Sequence, residues 1–204
     1  PGENPAFVLM HGFPDDSRIY DRLTPLLSPR RVLTFDFVGY GRSARTDPAQ
    51  FRSSHHEDEL GAVLDALELE HVIMVGHDAS GPVAIDYALS QPHRVPRLVL
   101  LNTSYGHAPP LRLPEMIRLF ADPNFASLAD AMIDDPDQRL WLLWHTARRF
   151  GLDPLDPTGI GVVSITPQFF GDSETPDALP AIRAWTGALF AALDRQDDSI
   201  KAGR

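Results

Sequence analysis

The sequence contains no cysteine. That excludes disulfides, thiolate metal sites and a cysteine nucleophile. Long apolar runs are also missing: stretches such as Leu98-Val99-Leu100-Leu101 are far too short to cross a bilayer. There is no basic run, and the formal net charge is −10. Such a field repels nucleic acid and an anionic membrane surface alike. The histidines, at 11, 55, 56, 71, 77, 93, 107 and 145, are scattered, with no metal-ligand pattern. Gly39-Tyr40-Gly41 lacks the third glycine and the downstream acid of a dinucleotide site. The expectation is no metal and no cofactor, with a small molecule and water as the only partners. Nothing in the pattern reads out an oligomeric state. The chain begins at Pro1 rather than at a methionine, so an upstream segment is expected to have been removed. The expected location is cytoplasmic.

What remains is ordinary globular material. Of 204 residues, 43% are hydrophobic and 23% charged, enough for one domain with a sizeable core. Four continuous apolar runs stand in the first half: Phe7-Val8-Leu9-Met10, Val32-Leu33-Thr34-Phe35, Val72-Ile73-Met74-Val75 and Leu98-Val99-Leu100-Leu101. None alternates with polar residues, which predicts strands buried on both faces of a parallel sheet. Helical patterns lie between them. Residues 57–69 put Leu60, Val63, Leu64 and Leu67 on one stripe, with Ser53 and Ser54 as candidate N-caps. Residues 79–90 follow the third run directly and stop before Pro92. The fold class is therefore α/β, with βαβ crossovers and chemistry at the carboxyl ends of the strands.

After Tyr105 the texture changes. Helices are predicted over 113–121, 127–133, 136–150 and 179–193, and an irregular loop over 151–180. We read 1–105 as a partial core, 106–193 as a helical cap and 194–204 as the start of a return to the core. A separate helical domain is the alternative.

The most informative segment is Gly76-His77-Asp78-Ala79-Ser80-Gly81, where a buried strand turns sharply into a helix. A nucleophile elbow has the pattern small-x-nucleophile-x-small. With Asp78 central, the flanks two away are Gly76 and Ser80, both small; with Ser80 central they are Asp78 and Pro82. Asp78 fits and Ser80 does not. Taken alone, an N-cap role for Asp78 explains the turn equally well.

Two further segments weigh against the cap. His11-Gly12-Phe13-Pro14-Asp15 ends the first strand, and Asp36-Phe37-Val38-Gly39-Tyr40-Gly41-Arg42-Ser43 follows the second. In this order, and with the elbow, they resemble the epoxide hydrolase and haloalkane dehalogenase branch of the α/β-hydrolase fold. The resemblance runs from about Phe7 to Thr103. It implies Asp78 as a nucleophile that forms an alkyl ester on a small apolar epoxide or haloalkane. It implies an oxyanion hole from the backbone N–H groups of Phe13 and Ala79. His11, Gly12, Gly76 and His77 support those turns. It also implies a base histidine and an acid on later loops, and two earlier strands. The sequence holds neither, so we expect a piece of a longer hydrolase with a four-stranded sheet, bare at both edges.

The resemblance does not single out a subfamily. Dehalogenases usually carry a tryptophan after the nucleophile, where Ala79 stands, and a polar residue where Phe13 stands. Epoxide hydrolases use cap tyrosines, and past Tyr105 there are none. Trp141, Trp144 and His145 are candidate pocket residues on one cap helix, with Trp141, His145 and Arg148 on a common face; ordinary packing is the competing explanation. Phe169, Phe170, Trp185 and Phe190 are expected around the same apolar space. His55 and His56 are expected to be solvated. Two other function classes stand beside the alkyl-enzyme hydrolase: a non-catalytic ligand-binding relative or inert fragment, and a serine-type esterase using Ser80.

Overall fold

The structure is a computed structural model that describes residues 5–44, 55–107, 115–149, 151–153, 155–156, 158–159, 165–171 and 179–203. Strands β1 (Ala6–Met10), β2 (Val32–Phe35), β3 (Val72–His77) and β4 (Arg97–Leu101) form one sheet in the order β2-β1-β3-β4. Every neighbouring pair is parallel, with Met10 beside both Phe35 and Gly76, and His77 beside Leu101. This register brings the carboxyl ends of all four strands to one rim.

The strand order decides which apolar runs are buried. β3 is buried from Val72 to Gly76, and Val8, Leu9 and Met10 of β1 are buried too. β2 is only half-buried along its length, and Val99, Leu100 and Leu101 of β4 are exposed. The expectation of four strands covered on both faces therefore holds for the central pair alone. An edge strand has a paired neighbour on one side only, and these two runs are as apolar as the central ones because apolar composition does not encode position in a sheet.

Two helices cover the sheet from within its crossovers. α1 (His55–Ala66) buries Leu60 and Leu64, while Leu67, past the helix end, is exposed. The candidate caps Ser53 and Ser54 lie outside the described residues. α2 (Ser80–Ser90) follows the end of β3 after only two residues, Asp78 and Ala79.

The second half is helical: α3 (Glu115–Ala121), α4 (Ala126–Asp134), α5 (Pro136–Arg149), α6 (Thr166–Phe170) and α7 (Leu179–Lys201). Periodicity predicted four of these. α6 falls inside the span read as irregular, because five residues are too few to display a helical period. α7 runs on past Leu193 to Lys201. Met116, Ile117, Leu142, Leu143, Phe169, Ile182 and Trp185 of these helices share one continuous apolar cluster with Val8, Met10, Phe37 and Leu60. The helices thus share one apolar core with the sheet. Among the described residues no helix is long and apolar enough to cross a membrane.

Candidate active site

Asp78 stands between β3 and α2 with φ of +50°. That is the left-handed region, which costs a non-glycine residue free energy unless its surroundings hold it there. Here they do. The Asp78 N–H donates to the Leu101 carbonyl at 3.1 Å, and the Thr103 hydroxyl donates to the Asp78 carbonyl at 2.6 Å. Its side chain accepts from the Phe13 N–H, 65 residues away in sequence, with Oδ1 at 2.9 Å. An N-cap residue has extended backbone and caps its own helix. Asp78 does neither; the N-cap position of α2 belongs to Ala79, without a side-chain cap. The capping explanation for Asp78 is therefore set aside.

The close approach depends on glycines at two places. A Cβ on Gly12 would lie 2.6 Å from the Asp78 Cβ, and one on Gly76 would lie 2.8 Å from the Ala84 Cβ. The first lets the Phe13 turn reach the carboxylate; the second lets α2 pack against β3 at the elbow. Gly12→Ala should push the two turns apart and lower the rate of covalent labelling of Asp78 about a hundredfold. Peptide mass spectrometry over time reads this out, and a rate within twofold of wild type would contradict it.

Burial raises the Asp78 pKa above its ordinary value, and hydrogen bonds from the Phe13 and Ala79 amides oppose that shift. The carboxylate is thus not ionised unaided, as its free pKa would suggest. The Phe13 and Ala79 N–H groups favour its charged form against that burial. The same donors that steady a carboxylate can steady a tetrahedral oxyanion at that position.

The supporting residues are largely spent on structure. His11 is fully buried, and its Nε2 accepts from the Phe37 N–H at 3.0 Å. Its Nδ1, at 2.8 Å from the Gly12 carbonyl, is then the donor. Burial holds its pKa down, so the ring stays neutral. Ser80 is fully buried. Its hydroxyl accepts from the His77 N–H at 2.9 Å and lies 2.8 Å from the His77 carbonyl and 3.1 Å from that of Met10. Ser80 therefore ties β1 to the elbow and has no free face for a substrate. Asp36, in the turn after β2, accepts from the backbone N–H groups of Ser17 (2.7 Å) and Arg42 (2.9 Å). It braces that turn.

The helical layer meets the site through Trp185, which is 2% exposed. Its ring lies 5.6 Å from Phe13, 4.8 Å from Tyr40 and 4.8 Å from His56. Gln168 of α6 adds a polar clamp. It donates to Asp16 at 2.5 Å and accepts from the Gly41 N–H at 3.2 Å. Two core turns are thereby fastened to one helical residue.

Other expectations are corrected. Trp141 is 56% exposed and stacks on the exposed His145, centroids 5.2 Å apart. Arg148 is exposed on the same outward face. Trp144 is half-buried, against the common core. Trp141 and His145 are thus turned to the surface, while Trp144 packs into the interior. On α5, the buried positions are instead Leu142, Leu143, Thr146 and Ala147. Phe169 is buried, Phe190 packs on the core, and Phe170 lies under the Arg139 guanidinium. His56 is only 3% exposed, not solvated, and desolvation drives its pKa down to about 3. One signal could have found it: His56, Leu60 and Leu64 are spaced by four, so the histidine extends the apolar stripe by one turn.

The profile of the α/β-hydrolase fold family matches residues 5–193. Among curated proteins, a cis-3-alkyl-4-alkyloxetan-2-one decarboxylase of Shewanella oneidensis is 33% identical over 112 residues, covering 53% of this chain and 35% of the relative. Haloalkane dehalogenase 2 of Mycobacterium tuberculosis is 29% identical over 123 residues, covering 60% of this chain and 43% of the relative. The chain thus spans less than half the length of these curated relatives. A solved epoxide hydrolase from a hot-environment metagenome superposes with a TM-score of 0.68 at 23% identity, over 92% of this chain and 63% of that one. With the strained aspartate turn on the rim of its parallel sheet, this chain belongs to the α/β-hydrolase fold family.

Proposed function

We propose that this chain carries the nucleophile of a hydrolase that works through an alkyl-enzyme ester on Asp78. The substrates are small apolar epoxides or haloalkanes, and the longer protein completes the turnover. The single observation behind this reading is the Asp78 carboxylate, held at a left-handed turn by the Phe13 amide. A carboxylate displaces a leaving group from saturated carbon without prior deprotonation. The reverse face of the same arrangement receives the oxyanion when water attacks the ester. Phe13 and Ala79 are the donors for that step. Residues 1–105 serve as core and 106–193 as a cap that closes over the elbow. The dehalogenase name of one relative and the epoxide hydrolase title of one structural neighbour agree with this substrate class. The strained lactone named for the Shewanella relative extends it, since an oxetanone also offers a saturated carbon with a carboxylate leaving group.

Hydrolysis of the ester needs a general base that the elbow does not itself supply. The ester should therefore accumulate. Incubated with a reactive epoxide or an alkyl bromide and digested, the chain should yield one peptide, containing Asp78, heavier by the mass of the alkyl group. A folded chain that gains no mass would favour a non-catalytic relative. Labelling or ester cleavage that vanishes in Ser80→Ala but persists in Asp78→Asn would favour the serine esterase.

A further inference from the structure

Two turns on the rim of the sheet are bridged twice, at neighbouring positions. Asp36 makes the first bridge from within the core. Its carboxylate accepts from the Ser17 N–H at 2.7 Å and from the Arg42 N–H at 2.9 Å. Gln168 makes the second bridge from the helical layer, one residue earlier in each turn. Its side chain donates to the Asp16 carboxylate at 2.5 Å and accepts from the Gly41 N–H at 3.2 Å. Gln168 and Asp16 are both fully buried. Gly41 has a φ of +47°, and a Cβ there would collide with the Asp36 carboxylate, so the two bridges are tightly packed. Buried polar bonds of this kind are costly to leave unmade, which holds the Gln168 side chain to this one arrangement.

The first of these turns continues the one that presents the Phe13 amide. Residues 12–15 close on themselves through the Asp15 N–H, which donates to the Gly12 carbonyl at 3.1 Å. Within that turn the Phe13 N–H donates to the Asp78 carboxylate at 2.9 Å. Asp16 follows directly. On its far side it caps the short helix Ser17–Tyr20, with Oδ1 accepting from the Arg18 N–H at 2.9 Å, and it pairs with the Arg18 guanidinium at 2.6 Å. Asp16 thus ties the end of the Phe13 turn to α6.

We propose that Gln168 is a positioning residue for the Asp78 nucleophile: by holding Asp16, it sets the turn that aims the Phe13 N–H at the carboxylate. This rests on the alkyl-ester reading of Asp78. Gln168 acts through Asp16 and the Phe13 turn, not on the reacting atoms. Trp185 reaches the same turn by a second route, through the Phe13 ring, with centroids 5.6 Å apart. The helical layer therefore does more than cover the elbow. Asp36 joins the two rim turns to each other, and Gln168 joins both to α6, so the donor to Asp78 is fully aligned only with α6 in place. A small displacement of a positioned group costs rate out of proportion to the bond that held it, because reactivity falls steeply with misalignment.

Exchanging donor and acceptor tests this. Gln168→Glu sets a second carboxylate against Asp16. With 1-bromobutane, the limiting rate of Asp78 labelling should fall about thirtyfold, while the half-saturating bromide concentration stays within about twofold, since the nucleophile is misaligned and the binding space is not. Adding Asp16→Asn restores the bond with its roles reversed: the asparagine amide donates to the introduced carboxylate, and its oxygen still accepts from the Arg18 N–H. The double variant should return to within about threefold of the wild-type rate. Gln168→Met keeps the bulk, adds no charge and should slow labelling about tenfold, which covers a failure of Gln168→Glu to fold. Nitrogen-15 NMR of the Phe13 amide gives an arm independent of reactivity. Its proton resonance, held downfield by the bond to Asp78, should move upfield in Gln168→Glu and return in the double variant. A folded single variant that labels within about twofold of wild type overturns the proposal, as does an unmoved Phe13 resonance. A higher half-saturating concentration at an unchanged limiting rate also overturns it, making Gln168 a wall of the binding space. No adduct in any protein, wild type included, removes the alkyl-ester reading, and the Phe13 resonance then still decides whether Gln168 sets that turn.

Discussion

Asp78→Asn should abolish covalent labelling, lowering its rate at least about a thousandfold, or about 4 kcal/mol on the barrier. The substitution is close to isosteric. Asparagine tolerates φ of +50° about as well as aspartate, so the turn should persist. Its amide oxygen can still accept from the Phe13 N–H. What it loses is the anionic oxygen pair, and a neutral amide does not displace a leaving group from carbon at any useful rate. Circular dichroism and thermal melting should overlay on the wild type while the Asp78 peptide gains no mass. The wild-type rate should itself fall as pH drops. Burial has raised the Asp78 pKa, so protonation, and with it loss of the nucleophile, sets in above the usual carboxylate range. Labelling of Asp78→Asn at the wild-type rate would place the nucleophile elsewhere.

Trp185→Ala should cost about 3–5 kcal/mol of folding stability, the range for removing a buried aromatic. Trp185 enters a ring cluster made of residues that are otherwise far apart in the chain. Its indole centroid is 6.1 Å from His11, 5.6 Å from Phe13, 5.9 Å from Phe37, 4.8 Å from Tyr40 and 4.8 Å from His56. Removing it opens a cavity where the helical layer meets the Phe13 turn, and alanine leaves the surrounding rings without partner atoms. Urea unfolding should show the midpoint shift. Trp185→Phe should recover most of the loss, which separates packing from failure to fold. Asp78 labelling should slow in Trp185→Ala, because Phe13 loses the contact that fixes its turn. A change below about 1 kcal/mol would mean that α7 does not anchor this cluster.

Several site features were legible beforehand because they are local. The order small-x-Asp-x-small at the end of an apolar run needs only adjacent residues to be read, and Gly76 and Ser80 do sit where the sharp turn requires them. The four strands and the helix after Asp78 were equally local patterns. Other features had no local signature. Gln168 reaches Asp16 across 152 residues from a helix too short to show a period. Trp141 and His145 looked like site residues by spacing, but spacing gives a shared face and not its direction. His56 was readable only as an extension of a leucine stripe, and histidine is too often exposed for that to weigh much.

By itself, the order of residues determined that this is an α/β chain with a parallel sheet and an aspartate at the bend after its third strand. Those conclusions follow from apolar runs, glycine spacing and the steric limits of a turn, all set within a few neighbouring residues. Only the tertiary structure decided which strands lie at the edges, that Trp185 packs on Phe13, and that Asp15 is buried in the Gly12 turn. These depend on which distant groups exclude water from one another. Desolvation and charge repulsion act through space, so no reading along the chain could supply them.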